Sequence, residues 1–160
     1  DVCDAILGEI AIPPMPNDDE IAPWLRNVVG LFRTQMLAHR GVAEQLLLTG
    51  PSGPHGLAAM AAICAVIART GKPATEVAWS YDWLMTTASV YVAKEQQLID
   101  AGGAERVAGE FAKRARSFPD DDFAAVVRSF TGDMSAAFDR TTTAVIAAIV
   151  DRDTDIMTDT

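Results

Sequence analysis

The segment LLLTGPSGPHGLAAM, residues 46–60, places three glycines and two prolines between two apolar flanks. Gly50 follows the last turn of one helical pattern, a position where glycine commonly ends a helix. Ser52 or Gly53 can cap the next helix, and Pro54 suits its first position because no helical hydrogen bond is lost there. We therefore predict that two helices meet at this segment.

Two functional interpretations of the same segment fail on chemistry. A phosphate-binding loop follows a strand and needs a lysine after its last glycine, whereas residues 50–56 follow a helical pattern and contain no lysine. A catalytic His55 needs a nucleophile and an orienting acid, and the segment offers Thr49 and Ser52 but no acid. We expect His55 and the preceding turn to lie at the rim of any ligand pocket.

Helical periodicity extends along the chain, and no stretch shows the apolar–polar alternation of a strand. The Pro-rich sequence IPPMPNDD, residues 12–19, interrupts this pattern. We predict an all-α fold, an orthogonal helical bundle of about seven helices, without the fixed-period repeat of a solenoid. The predicted helices span approximately residues 1–8, 20–39, 42–48, 54–69, 75–100, 105–116, 123–130 and 133–150.

Length and composition indicate one domain with a sizeable core, since 49% of the 160 residues are apolar. The net charge of −9 argues against nucleic acid binding by this chain alone, because binding phosphates needs a clustered positive face. Two cysteines, Cys3 and Cys64, are too few for a disulfide scaffold and favour a reducing cytoplasm. The apolar run 57–68 is too short to span a bilayer, so we expect no membrane partner.

The sequence gives little support for a metal-binding site. Two histidines, His39 and His55, do not make a His-rich metal centre. The acidic residues at 151–155 lack the glycine and the closing Glu of a calcium-binding loop, and those at 120–122 precede a predicted helix, where acids stabilise the N-terminus. We predict no metal, no cofactor and no catalytic residue.

Large apolar side chains interleaved with hydroxyl groups on three predicted helices indicate a pocket for an apolar ligand. Methionine and aromatic side chains adapt to varied ligands, although each of them taken singly also suits a packed core. The candidate ligand-binding residues are Trp24, Val28, Phe32, Met36, Met60, Cys64, Ile67, Trp83, Thr87 and Val90.

The long predicted helices 75–100 and 133–150 carry more apolar surface than one small domain needs. This surplus predicts a homodimer in which the last long helices form a four-helix bundle across a two-fold axis. Alternatively, the first five helices cover both apolar faces within one protomer. The candidate interface residues are Tyr81, Leu84, Ala88, Tyr91, Met134, Phe138, Thr141, Val145 and Ile149.

Residues 7–79 resemble the C-terminal domain of the tetracycline-repressor family of bacterial regulators. The resemblance rests on an ordered series of features in LGEIAIPPMPNDDEIAPWLRNVVGLFRTQMLAHRGVAEQLLLTGPSGPHGLAAMAAICAVIARTGKPATEVAW. The series is a proline-containing break, Trp24 at the start of the next helix, the turn at 50–54, an apolar helix and the opening of the long helix. The resemblance covers about residues 5–100 and is weaker from there to Ile149.

This resemblance implies a one-component transcriptional regulator, usually a repressor that a small inducer releases from operator DNA. Residues 1–150 would be the ligand-binding and dimerisation domain, and 151–160 a polar tail. Residues 1–9 would end the helix that links this domain to a DNA-binding helix-turn-helix domain not present in this chain. The sequence DVCDAILGEI, residues 1–10, agrees because its helical pattern is already under way at the first residue.

The namesake proteins of the family bind a magnesium–tetracycline chelate. Their metal-holding histidine falls near Leu47 or Leu48 here, and neither side chain can bind a metal. His39 and residues 95–97 match other pieces of the family pattern. Instead of such a chelate, the Trp, Met and Thr content of the predicted pocket indicates a small apolar or aromatic, uncharged inducer. We expect a cytoplasmic protein that is not an enzyme.

Two other classes of function stay open at the level of sequence. One is a helical enzyme or carrier acting on a lipophilic small molecule, and the other is a purely structural interaction module. The enzyme would need an acid–base set that converges inside a pocket, for which the candidates are His39, His55, Asp82 and Glu95.

Overall fold

The computed structural model describes residues 2–115 and 133–151, and every extended regular element within them is an α-helix apart from one 3-10 turn, Asp18–Glu20. The helices are α1 (Val2–Leu7), α2 (Ile21–Ala38), α3 (Val42–Thr49), α4 (Pro54–Ala68), α5 (Ala74–Asp100), α6 (Ala104–Ala115) and α7 (Met134–Val150). The all-α prediction is confirmed, and each of these helices begins and ends within one residue of its predicted bounds. The helix predicted at 123–130, the acids at 120–122 and the tail beyond residue 151 lie outside the described residues.

The connection between α3 and α4 has the geometry that its glycines and prolines predict. Gly50 ends α3 with a φ of +64°, a left-handed backbone that glycine adopts at little cost. Gly53 is the N-cap of α4, and Pro54 is its first residue. A Cβ atom at Gly53 would lie 2.1 Å from Cγ of Asp4, so the close approach of α1 requires a glycine at this position.

Side chains from two helices bind the Pro-rich connection that follows α1. On α2, Nε1 of Trp24 donates a 2.9 Å hydrogen bond to the carbonyl oxygen of Pro14. At the end of α4, Arg69 donates to the carbonyl oxygen of Pro16 and forms an ion pair with Asp18. Proline cannot continue a helix, and these side-chain bonds hold the resulting irregular segment on the surface of the bundle.

α5 is the central helix, since α2, α3, α4 and α7 all pack against it. Its buried face includes Leu84, Ala88 and Val92, which have no exposed surface. Burying one large apolar side chain contributes roughly 1.5–3 kcal/mol, so this shared core holds the helices together. The largest fully buried side chains of the opposing helices are Leu25, Met36, Ile63, Ile67, Ile146 and Ile149.

A polar cluster joins α2, α5 and α7 at one side of this core. Arg33 forms a 2.7 Å ion pair with Glu95, and its guanidinium carbon lies 5.0 Å from the ring centre of Phe138. The ring of Tyr91 meets the same phenyl ring edge-on at 6.2 Å between centres, and its hydroxyl lies 2.8 Å from Oγ1 of Thr141. These contacts fix α7 against the two helices that precede it in the core.

Among the described residues, no helix taken singly has the length and apolar character needed to cross a membrane. α3 and α4 meet that requirement only as a pair, and the pair is bent by 73° at its junction.

Replacing Gly53 with Ala should destabilise the domain by about 1–3 kcal/mol, because the added methyl group overlaps Asp4 and forces α1 away from α4. Gly30→Ala is the matched control, since nothing lies within 4 Å of a Cβ atom there. Alanine in a helix interior is favoured over glycine by roughly 0.5–1 kcal/mol, so this control should be slightly stabilised. Urea unfolding followed by circular dichroism measures both variants. A Gly53→Ala variant as stable as the unmodified chain would contradict the close approach of α1.

Candidate ligand pocket

A cavity of about 150 Å³ lies between α5, the connection at 50–53 and the neighbouring faces of α1, α2, α3 and α4. A cavity of this size accommodates roughly one benzene-sized ring, so a larger ligand would extend from it toward solvent. The residues that line it are Leu7, Phe32, Leu46, Leu47, Gly50, Pro51, Gly56, Tyr81, Asp82, Met85, Thr86 and Ser89.

The cavity has an apolar wall and a polar wall. The apolar wall comes from α1, α2, α3 and the connection after α3: Leu7, Phe32, Leu46, Leu47 and Pro51. The polar side chains all belong to α5: Tyr81, Asp82, Thr86 and Ser89. A pocket divided in this way suits a molecule with an apolar ring on one side and polar groups on the other.

Tyr81 presents a protonated hydroxyl group to this region. Burial raises the pKa of Tyr81 to about 12, and Cys64 and Asp82 add smaller contributions. The hydroxyl therefore keeps its proton at neutral pH and can both donate and accept a hydrogen bond. It forms no hydrogen bond within residues 2–115 and 133–151, which leaves both capacities for a ligand or water.

The residues predicted to bind a ligand fall into different surroundings. Phe32 lines the cavity, and Met36 lies next to it, with its sulfur 3.7 Å from Oγ of Ser89. The others do not line this cavity: Trp24, Val28 and Ile67 are buried in the core, Met60, Cys64 and Thr87 are half-buried, and Trp83 and Val90 are exposed. Ligand contacts for these other residues stay predictions.

Of the polar residues that α5 contributes, the sequence singled out Asp82 only as an acid–base candidate and Tyr81 only as an interface candidate, and it did not single out Ser89. Asp82, Thr86 and Ser89 recur at i, i+4 and i+7, the spacing that places side chains on one face of a helix. That spacing was the available signal, but a stripe of small polar residues also describes a solvent-facing surface. The packing of α3 and its following connection against α5 is what turns this stripe into a cavity wall.

Asp4 joins α1 to α4 beside the cavity. Its Oδ1 accepts a 2.8 Å hydrogen bond from the backbone N–H of Gly56, and Nδ1 of His55 donates to its Oδ2 at 2.9 Å. The bond from Gly56, together with the bonds from His55, lowers the pKa of Asp4 against the effect of burial. The ionised carboxylate therefore sits at the N-terminus of α4, where the helix dipole favours negative charge. Asp4 is thus the acid that the segment around His55 lacks.

The four acid–base candidates of an enzyme do not converge. Asp82 lies at the cavity, Glu95 is bound to Arg33, and His39 and His55 lie near other acids. Within the described ranges, no three His, Cys, Asp or Glu side chains are grouped in a way that could hold a metal ion.

The residues predicted at a dimer interface pack largely inside the protomer. Leu84, Ala88, Phe138, Val145 and Ile149 are buried, whereas Tyr81, Tyr91, Met134 and Thr141 are half-buried and keep some surface. A neighbouring stripe of α5 is more open, and we call it the α5 stripe: Trp79, Trp83 and Val90, exposed by 63%, 43% and 37%. The interface role of the predicted residues stays a prediction.

Acid should weaken the bond between α1 and α4. Because the native pKa of Asp4 is lowered, its contribution to stability is complete above the unfolded value, near 3.8, and is lost as the pH falls through the native value. Asp4→Asn should lower stability at neutral pH and make stability less sensitive to pH between about 5 and 2. Asp139→Asn, at an exposed site on α7, should keep the original profile. Urea unfolding across this pH range provides the test, and identical profiles for both variants would contradict the assignment.

No protein-family model and no curated protein sequence matches the chain. Solved structures do match. The Streptomyces coelicolor TetR family protein ActR, in complex with actinorhodin, superposes with a TM-score of 0.80 at 22% identity, over 93% of this chain and 72% of that one. Apo ActR gives a TM-score of 0.77 at 22% identity, over 93% of this chain and 70% of that one. A further Streptomyces protein, assigned as a transcription regulator, gives 0.68 at 23% identity, over 93% and 69% of the two chains.

At these identities the likeness establishes the fold. It also agrees with the ordered series of sequence features from which the tetracycline-repressor resemblance was inferred. The part of this chain that the structure describes has the all-α fold found in TetR family proteins.

Proposed function

We propose that this chain is the ligand-sensing and dimerisation domain of a bacterial one-component transcriptional regulator. The observation that carries the proposal is the cavity, whose wall includes Leu7 of α1, in a fold shared with a TetR family protein solved with a bound small molecule. The protein acts as a repressor in the cytoplasm, and an inducer releases it from operator DNA. The domain itself performs no catalysis.

The inducer is a small apolar or aromatic molecule. Its ring packs against Phe32 and Leu46, and its polar group faces the hydroxyl and carboxyl groups of α5. Phe32 thus keeps the role predicted for it, and Met36 supports the cavity from behind through Ser89.

A ligand in the cavity can act on α1 through two neighbouring contacts. It reaches Leu7 directly, and it reaches Gly56, whose N–H group holds Asp4 of α1. Filling the cavity therefore biases the position of α1 against α4. We propose that α1 continues from a DNA-binding helix-turn-helix domain. Movement of α1 then changes the spacing between the two helix-turn-helix domains of a dimer.

Homodimerisation uses the exposed surfaces of α5 and α7. The α5 stripe offers large apolar anchors of the kind that dominate stable interfaces. α5 and α7 pack against each other, so together they can supply half of a four-helix bundle. Four exposed side chains of α7 are small enough for a partner helix to approach closely: Ser135, Thr143, Ala144 and Ala147. The other exposed side chains of α7 are those of Asp139 and Arg140.

Thr86→Trp should abolish binding of 2-phenylethanol, a neutral probe with one ring, because the indole fills the cavity. Thr34→Trp is the matched control, since it makes the same change on an exposed site of α2 that does not line the cavity. Saturation-transfer NMR on the 160-residue chain measures binding, and circular dichroism checks that both variants are folded. Failure of the unmodified chain to bind, or equal binding by both variants, would count against the proposed ligand site.

The unmodified chain should be a dimer, and Trp83→Glu should convert it to a monomer, because a charge at the centre of the α5 stripe would be buried without a partner. Leu48→Glu is the control, since Leu48 is 82% exposed and belongs to α3, outside the α5 stripe and α7. Size-exclusion chromatography with light scattering gives the masses. A monomeric unmodified chain, or dimers of unchanged stability in both variants, would refute the interface.

A further inference from the structure

The polar wall of the cavity carries one charged side chain. Among the residues that line it, Asp82 is the acid, and none is a lysine, arginine or histidine. The remaining polar groups on this wall are the hydroxyls of Tyr81, Thr86 and Ser89. The lining therefore offers a negative charge and hydroxyl groups to a ligand, and it offers no cation.

Asp82 differs from the other acids of α5 because it has no cationic partner among the described residues. Glu76 lies 3.5 Å from Nζ of Lys72, Glu95 lies 2.7 Å from Arg33, and Asp100 is paired with Arg40. Asp82 forms neither an ion pair nor a hydrogen bond within residues 2–115 and 133–151. Of the four acids of α5, the one without a partner among the described residues is thus the one at the cavity.

A carboxylate next to an apolar wall can distinguish between apolar ligands that differ in charge. A cationic group on a ligand would meet Asp82 at the rim while the ring of the same ligand occupies the space beside Phe32 and Leu46. A ligand carboxylate in the same place would be repelled by the negative charge of Asp82. The hydroxyl of Tyr81, which is free to accept or donate, can bind the ammonium or hydroxyl group of the ligand.

We infer that this site selects small aromatic amines, whose ammonium group binds Asp82, over neutral and acidic molecules of the same shape. This inference rests on the proposed ligand-sensing function and names the class of molecule that the site prefers. It replaces the uncharged inducer expected from the sequence with a cationic one. Asp82 is exposed, so solvent screens its charge. At about 4 Å in water, opposite unit charges attract by roughly 1 kcal/mol, which corresponds to about five- to tenfold in affinity near a protein surface.

Three probes of one shape test the preference: 2-phenylethylamine, 2-phenylethanol and phenylacetate. NMR titration of the 160-residue chain at low salt and neutral pH gives the three dissociation constants. We expect the amine to bind about five- to tenfold more tightly than the alcohol, and the carboxylate more weakly than the alcohol. Asp82→Asn should reduce the difference between amine and alcohol to less than about twofold.

A second acid separates a local effect from the overall negative charge. Asp139→Asn removes the same charge from an exposed position on α7 that does not line the cavity, and it should leave the preference intact. Equal loss of amine binding in both variants would show that net charge alone attracts the amine and would overturn the inference. Binding of the amine and the alcohol with equal affinity would overturn the inference but leave the proposed function standing. Binding of none of the three probes would overturn both.

Discussion

A buried carboxylate determines where the first helix meets the rest of the domain. α1 has six residues and buries two of its side chains, Asp4 and Leu7. A helix this short has no stability of its own, so its position depends on tertiary contacts, and Asp4 and Leu7 are its most buried residues. Asp4 binds the N-terminus of α4, and Leu7 completes the wall of the cavity. The two contacts place the cavity and the start of α4 against the same short helix.

α5 contributes side chains to the core, to the cavity and to the surface. Successive residues of an α-helix turn by about 100°, so a helix of 27 residues presents several distinct faces along its length. One face fills the core with Leu84, Ala88 and Val92, and a second supplies the polar wall of the cavity. A third face carries the α5 stripe at the surface. Because one rigid helix carries all three, a ligand at the polar wall and a partner on the stripe would contact the same element.

Apolar periodicity along α2 identifies buried residues but does not separate pocket residues from core residues. Val28, Phe32 and Met36 recur along α2 and all turn inward, as their spacing indicates. Phe32 alone of these three lines the cavity, because the space it faces is left open whereas its neighbours face filled space. A packed core and an apolar pocket use the same side chains, so the pattern along one helix does not distinguish them. The polarity of Asp82 and Ser89 does not identify a pocket wall either, since polar residues are equally typical of a solvent-facing stripe.

By itself, the sequence determined the seven described helices and their ends to within one residue. Gly50 and Pro54 fix the connection between α3 and α4, and the spacing of apolar residues fixes which face of each helix turns inward; these are properties of neighbouring residues. Only the tertiary structure decided that His55 pairs with Asp4, 51 residues away, and that Asp82 borders a cavity instead of open solvent. Those outcomes depend on distances between segments remote in the chain, which no local pattern of residues specifies.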